Sequence, residues 1–187
     1  MKRTSFFVVA FVTLALAGCA SAPGPNCVRL SARGFFCLLA PAALAPQSGT
    51  DLVTVTRRGK AEHYVGQLSI TPARVELALT SLAGLSFATV SWNGSTAKIR
   101  APKEMRLDPG QLVALLELTL ASPDALRGAL HNLELSLADT AAGRERRLSA
   151  SGKLVARAVS AGDGTTRVEV PRAALVLALR PLASDGQ

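Results

Sequence analysis

One leucine-rich segment stands in the middle of a chain that otherwise alternates like β-strands. Leu112, Val113, Leu115, Leu116, Leu118 and Leu120 are interrupted only by Ala114, Glu117 and Thr119. A helix that is apolar around most of its girth has to be buried on several sides. Ahead of it, Asp108-Pro109-Gly110-Gln111 offers an N-cap aspartate, proline at the first helical position and a glutamine placed to complete a capping box. Ser122-Pro123 stops the run, so the helix is expected over 109–121, followed by a short one from Asp124 to Leu130.

On both sides of this helix the apolar period is two. Asp51–Thr56 sets Leu52 opposite Val53 and Val55, and Arg57-Arg58-Gly59 reads as a polar turn. Tyr64, Leu68 and Ile70 share one parity with Gly66 between them, and Val75, Leu77 and Leu79 alternate with Arg74 and Glu76. Leu85–Trp92 and Ser95–Arg100 flank Asn93-Gly94, a strong hairpin signal. After the helices, a strand is expected from His131 through Leu133, Leu135 and Leu137. Arg144–Ser151, Lys153–Ser160, Thr165–Val170 and Ala173–Arg180 follow, with Arg144–Arg147 opening as a charged turn. Strands with one apolar and one charged face belong in an antiparallel sheet that is wet on one side. The expected class is α+β, a curved antiparallel sheet with the apolar helix on its concave face. Such an arrangement accommodates either a filled core or a cavity for an acyl chain, and the strand pattern does not choose between them.

The N-terminus carries an address. Lys2 and Arg3 precede the uncharged run Phe6–Ala17, too short for a membrane-spanning helix, and Leu16-Ala17-Gly18-Cys19 places small residues before a cysteine. This pattern predicts a lipoprotein leader over 1–18, cleaved before a lipidated Cys19; an ordinary secretory leader is the rival. Residues 19–26 form a Pro/Gly-containing tether. Ala20 follows the lipidated cysteine, where an aspartate would favour the inner membrane, so the periplasmic face of the outer membrane is expected. Acyl chains on Cys19 make a further membrane segment unnecessary.

Export also frames composition and cysteine usage. The formal charge of +8 falls to +6 once Lys2 and Arg3 leave with the leader. In the periplasm this balance points to anionic lipid headgroups, or to a generic solvated basic surface. Nucleic acid is not expected, because export and the lack of aromatic–basic interleaving both argue against it. Cys27 and Cys37 remain in an oxidising compartment on two short strands around Ser31-Ala32-Arg33-Gly34, so a disulfide is expected there. Free thiols are the alternative, and the spacing excludes a redox CxxC pair. The hairpin segment covers 27–48, the main domain 49–182, and 183–187 reads as a disordered tail.

Catalytic patterns are missing from the sequence. His63 and His131 stand in no metal-ligand spacing and read as surface residues, and no G-x-S-x-G, H-E-x-x-H or phosphate-binding glycine loop occurs. No catalytic residue, metal or cofactor is expected.

The chain resembles a group of bacterial lipoproteins of unknown function encoded beside aryl-polyene pigment biosynthesis genes. These are in turn similar to the outer-membrane lipoprotein carriers of the Lol pathway (LolA/LolB-like). The resemblance rests on Cys27…Cys37-Leu38-Leu39, on Leu79–Leu85 running into Trp92-Asn93-Gly94, and on Leu107–Leu112 leading the leucine helix to Ser122-Pro123. It covers residues 27–135 well and the last strands by pattern. It departs at Ser122, where that group tends to carry an aromatic, and at the Gly84 loop, which lacks a neighbouring proline.

The resemblance implies an open half-barrel whose helices plug an apolar mouth able to hold acyl chains. It also implies a protruding loop leucine that meets the membrane, for which Leu82 is the nearest match. On that reading the chain is a monomeric, non-enzymatic carrier of an apolar or lipid-linked molecule, such as an aryl-polyene lipid or an acyl chain. Its cavity would lie between Leu112, Leu115 and Leu116 on the helix and Leu77, Phe87, Leu135 and Leu177 on the sheet. A one-residue register error would flip every sheet residue. The rival is a structural or assembly lipoprotein with a filled core, acting through a protein partner.

Overall fold

Short polar turns and alternating strands let each half of the chain fold back on itself as an antiparallel meander. The computed structural model describes residues 24–101 and 108–182. The leader 1–18, Cys19, most of the expected tether and the expected tail 183–187 lie outside the described residues. β1 (Cys27–Arg29) and β2 (Phe35–Cys37) form a hairpin, followed by one 3-10 turn at Pro41–Ala43. Next come β3 (Gln47–Arg57), β4 (Lys60–Thr71), β5 (Arg74–Ser81), β6 (Ser86–Trp92) and β7 (Ala97–Arg100). The helices are α1 (Pro109–Leu120) and α2 (Pro123–Ala129). Then follow β8 (Leu130–His131), β9 (Glu134–Thr140), β10 (Gly143–Ala150), β11 (Lys153–Ser160), β12 (Thr166–Val170) and β13 (Leu175–Pro181).

Ten strands make one antiparallel sheet in the order β7-β6-β5-β4-β3-β13-β12-β11-β10-β9. Each neighbouring pair is consecutive in sequence except β3 and β13, which join the two meanders at the centre. The edges β7 and β9 do not pair, so the sheet is open. To pass from one edge to the other the chain crosses the sheet's inner face, and it makes that crossing as α1 and α2. The helix therefore packs mainly on β6 and β7 on one side and on β11 and β12 on the other. The central strands β3, β4 and β13 lie beneath the span.

The buried core fills in along one flank of this bridge. Trp92, Phe36, Leu118, Leu126, Leu148 and Val113 are almost wholly excluded from solvent. β1, β2 and β8 form a separate three-stranded sheet that closes one side of the core. No described helix is long and apolar enough to cross a membrane.

Several expectations shift in detail. The strand expected to run on from His131 is split: Asn132 adopts a positive φ of 55°, so His131 stays with the small sheet while Glu134 starts the large one. Leu137 is exposed on the edge strand β9. Arg144–Arg147 lie within β10 instead of a turn. There Glu145 sits on the outer face between Arg147 (2.8 Å) and Arg157 (2.7 Å), and the Arg157 hydrogen bond holds its carboxyl below the usual range. Asp108 caps α1 by accepting from the Gln111 N–H at 2.9 Å. The Gln111 side chain does not close the capping box; it donates to the Arg29 carbonyl at 3.0 Å, tying the helix to the hairpin.

Candidate functional site

Beneath α1, over the central strands, the inner face opens into a cavity of about 840 Å³. That size lies within the range of small-molecule sites. Leu112, Leu115, Leu116 and Thr119 form its helical wall. The sheet wall is built from residues of one parity on each strand: Val53 and Val55 on β3, Leu77 and Leu79 on β5, and Leu175, Leu177 and Leu179 on β13. Gly66 on β4 makes room for the Val53 side chain, which an added Cβ would meet at 2.5 Å.

One wall residue breaks the parity rule. The β5–β6 ladder pairs Leu79 with Ala88 but Thr80 with Ser86, leaving Phe87 as the bulged residue. A bulge re-aims a side chain, and so Phe87 and Ala88 both line the cavity although they are consecutive. Phe87 stacks on Tyr64 with ring centroids 4.3 Å apart. The Tyr64 hydroxyl donates to Glu62 at 2.7 Å, and burial together with that carboxylate pushes its pKa up to about 12.

The charged residues that line the cavity gather at one end. Arg57, Arg58, Lys60 and Glu62 line it where the β3–β4 hairpin turns, and the last three are exposed. The turn is a tight one, with Arg58 and Gly59 at φ 50° and 81°, and the Arg58 N–H is tied to the Ala174 carbonyl. The β5–β6 loop projects from the same end of the sheet and carries Leu82 and Leu85, 67% and 71% exposed. A neighbouring groove on the far side of Leu115 is lined by Arg29, Arg33, Lys153 and Arg172 and, among the described residues, by no carboxylate.

The opposite flank of α1 is sealed by a polar staple in an otherwise dry core. The Leu39 peptide is held from both sides: its N–H donates to Glu117 Oε2 at 3.0 Å, and its carbonyl accepts from Trp92 Nε1 at 2.6 Å. Glu117 is fully buried and its Oε1 has no partner, so burial raises its pKa to about 8 against the single Leu39 hydrogen bond. The carboxyl is protonated at neutral pH. Arg146 reaches across from β10 and donates to the Leu118 and Ala121 carbonyls at 2.9 and 2.7 Å, satisfying the end of α1.

The structure brings six of the seven expected wall residues together: Leu77, Phe87, Leu112, Leu115, Leu116 and Leu177. Leu135 is not among them. It pairs with Leu148 and packs against the filled core, because β9 is an edge strand of the sheet and the cavity lies over the central ones. Sequence reasoning missed the rim, having read Arg57-Arg58-Gly59 only as a turn. It missed Tyr64 and Val53 as wall residues, although their parity with Leu68 and Val55 carried the signal.

Cys27 and Cys37 form a disulfide across the β1–β2 pair. β2 also pairs with β8, which brings His131 to the two sulfurs, all three within 4.8 Å. No sequence spacing announces that neighbour. Among the described residues this is the one grouping of three potential metal ligands, and its sulfurs are committed to each other.

Residues 48–183 match the family model described as "Protein of unknown function (DUF3261)". The chain belongs to this family. Every residue lining the cavity falls inside the DUF3261 match, whereas the disulfide hairpin precedes it. Among curated proteins no sequence matches the chain.

Proposed function

We propose that this DUF3261 protein is a non-enzymatic carrier that holds an apolar or lipid-linked molecule beneath α1. The observation that supports this reading is the cavity itself: about 840 Å³ with leucine, valine and aromatic walls, beside a core that is otherwise filled. Each methylene buried there would contribute about 0.8 kcal/mol. The charged groups that line it gather at the rim, and among the described lining residues there is no histidine or cysteine.

The wider reading places the chain as a lipoprotein anchored through Cys19 at the periplasmic face of the outer membrane. Its open sheet would then serve as a half-barrel in the manner of the Lol carriers, with an aryl-polyene lipid or an acyl chain as cargo. Leu82, exposed at the same end of the sheet as the rim, suits insertion into a membrane, and the cations of that rim suit anionic headgroups. A second reading, an assembly lipoprotein, draws on the same exposed Leu82 and Leu85, which would dock a protein partner instead.

The deciding experiment uses a soluble chain lacking residues 1–18 and carrying Cys19→Ser, which keeps every described element. It is purified without detergent, extracted with organic solvent and analysed by mass spectrometry and visible absorbance. A stoichiometric lipid or polyene that disappears with Leu116→Arg supports the carrier and names its cargo class. An empty, stable protein that ignores added fatty-acyl probes leaves the assembly reading.

A further inference from the structure

The inner face of the β3–β4 hairpin changes character along its length. Val53 sits opposite Tyr64, Val55 opposite Glu62, and Arg57 opposite Lys60. Both cations of the last row line the same cavity as the leucines, with Leu175 of β13 registered beside Arg57. Sheet register, not a free loop, sets their position. Among the described residues Glu62 is the one carboxylate in the lining, and it accepts the Tyr64 hydroxyl. Among the described residues neither Arg57, Arg58 nor Lys60 belongs to an ion pair, while the arginines on the outer face of β10–β12 are paired.

Two cations fixed at the end of an apolar cavity present a focused positive field against low-dielectric walls. An uncharged chain gains nothing from them. A carboxylate or phosphate gains charge-assisted hydrogen bonds, which a guanidinium can make in bidentate form. We infer that the ligand is an amphiphile with an anionic head, its chain under α1 and its carboxylate or phosphate between Arg57 and Lys60. This rests on the proposed carrier function and names the chemical class of its cargo.

The test measures binding to the same soluble chain, by calorimetry below micelle-forming concentrations, of two matched pairs. Palmitate is set against hexadecanol, and 1-palmitoyl glycerol phosphate against 1-palmitoyl glycerol; whichever anion shows the larger preference identifies a carboxylate or a phosphate source. The unmodified chain should favour an anion over its neutral partner by about tenfold or more, as expected for a charge-assisted bond. Arg57→Gln with Lys60→Gln should bring the ratio near one and leave neutral binding unchanged. Arg57→Glu with Lys60→Glu should turn the preference toward hexadecyltrimethylammonium. Arg33→Gln with Lys153→Gln removes equal charge from the neighbouring groove and should leave the ratio intact. Equal affinity for anion and neutral partner, or a ratio that survives loss of Arg57 and Lys60 or collapses with Arg33 and Lys153, overturns the headgroup assignment alone. Failure of all four amphiphiles to bind overturns the carrier function, and this inference with it.

Discussion

The two flanks of α1 are built from the same leucines and end in opposite ways. On one flank Val113, Ala114, Leu118 and Glu117 are sealed against Trp92, Phe36 and Leu148. On the other, Leu112 and Leu116 remain half-buried and face open volume over β3, β4 and β13. The difference follows from where the helix rests. It is supported on β6–β7 and β11–β12, so side chains interlock near those supports and fall short of the central strands between them. Apolar composition alone does not distinguish a core from a binding cavity; the placement of the supports does.

The comparison is broken most directly by truncation on each flank. Leu118→Ala should lower unfolding free energy by about 3–5 kcal/mol, since it opens a cavity in a closed core. Leu116→Ala already borders a void and should lower it by about 1 kcal/mol. Urea denaturation of the two variants reads the contrast, and equal losses would mean the two flanks are equally packed.

Titration sharpens the same contrast. Burial raises the Glu117 carboxyl from 4.5 to about 8, so the folded chain keeps a proton that the unfolded chain has released. Stability contributed by this group therefore falls as pH rises from about 4.5 to 8 and levels off above that. The loss between pH 4.5 and 7 is roughly 3 kcal/mol. Glu117→Gln keeps an acceptor for the Leu39 N–H and should remove this slope, seen as urea midpoints that no longer drop between pH 5 and 8. A slope unchanged by the substitution would show that Glu117 does not hold its proton in the folded chain.

Two smaller effects test the periphery. Replacing Cys27 and Cys37 by serine should lower stability by about 2–3 kcal/mol while ligand binding persists, because the hairpin braces the start of α1 outside the cavity. Loss of binding at retained fold would make the hairpin part of the site. Leu82→Ser and Leu85→Ser should each change stability by no more than about 0.5 kcal/mol, as expected for side chains that pack against nothing. A larger loss by thermal melting would show that these leucines are packed rather than projecting.

Much of the architecture was legible from residues alone. The Asp108 cap, the Ser122-Pro123 stop and the Asn93-Gly94 hairpin are local signals, and the elements they bound stand within a residue or two of their expected places, whereas β3 begins at Gln47 rather than Asp51 and the strand expected from His131 is split. Leu77 and Leu177 were readable as wall residues because strand parity fixes the face once one neighbour is known. Phe87 lines the cavity for a reason invisible to parity, namely the bulge opposite Leu79 and Thr80. Leu135 keeps its inward parity but sits on the edge strand β9, away from the central strands under the cavity. Arg57 looked like an ordinary turn residue and Lys60 carried no signal until the hairpin register set them opposite each other on the inner face.

By itself the sequence determined the periods: two along the strands, helical between Pro109 and Leu120, with Gly, Pro and Asn marking the breaks. These depend on neighbours within a few residues, so they can be read locally. Only the tertiary structure decided that the two meanders join through β3 and β13, that α1 bridges the inner face, and that the space beneath it stays open. Those outcomes depend on contacts between residues more than a hundred positions apart, such as Val53 with Leu179, and on how far a bridged helix stands above the strands it spans.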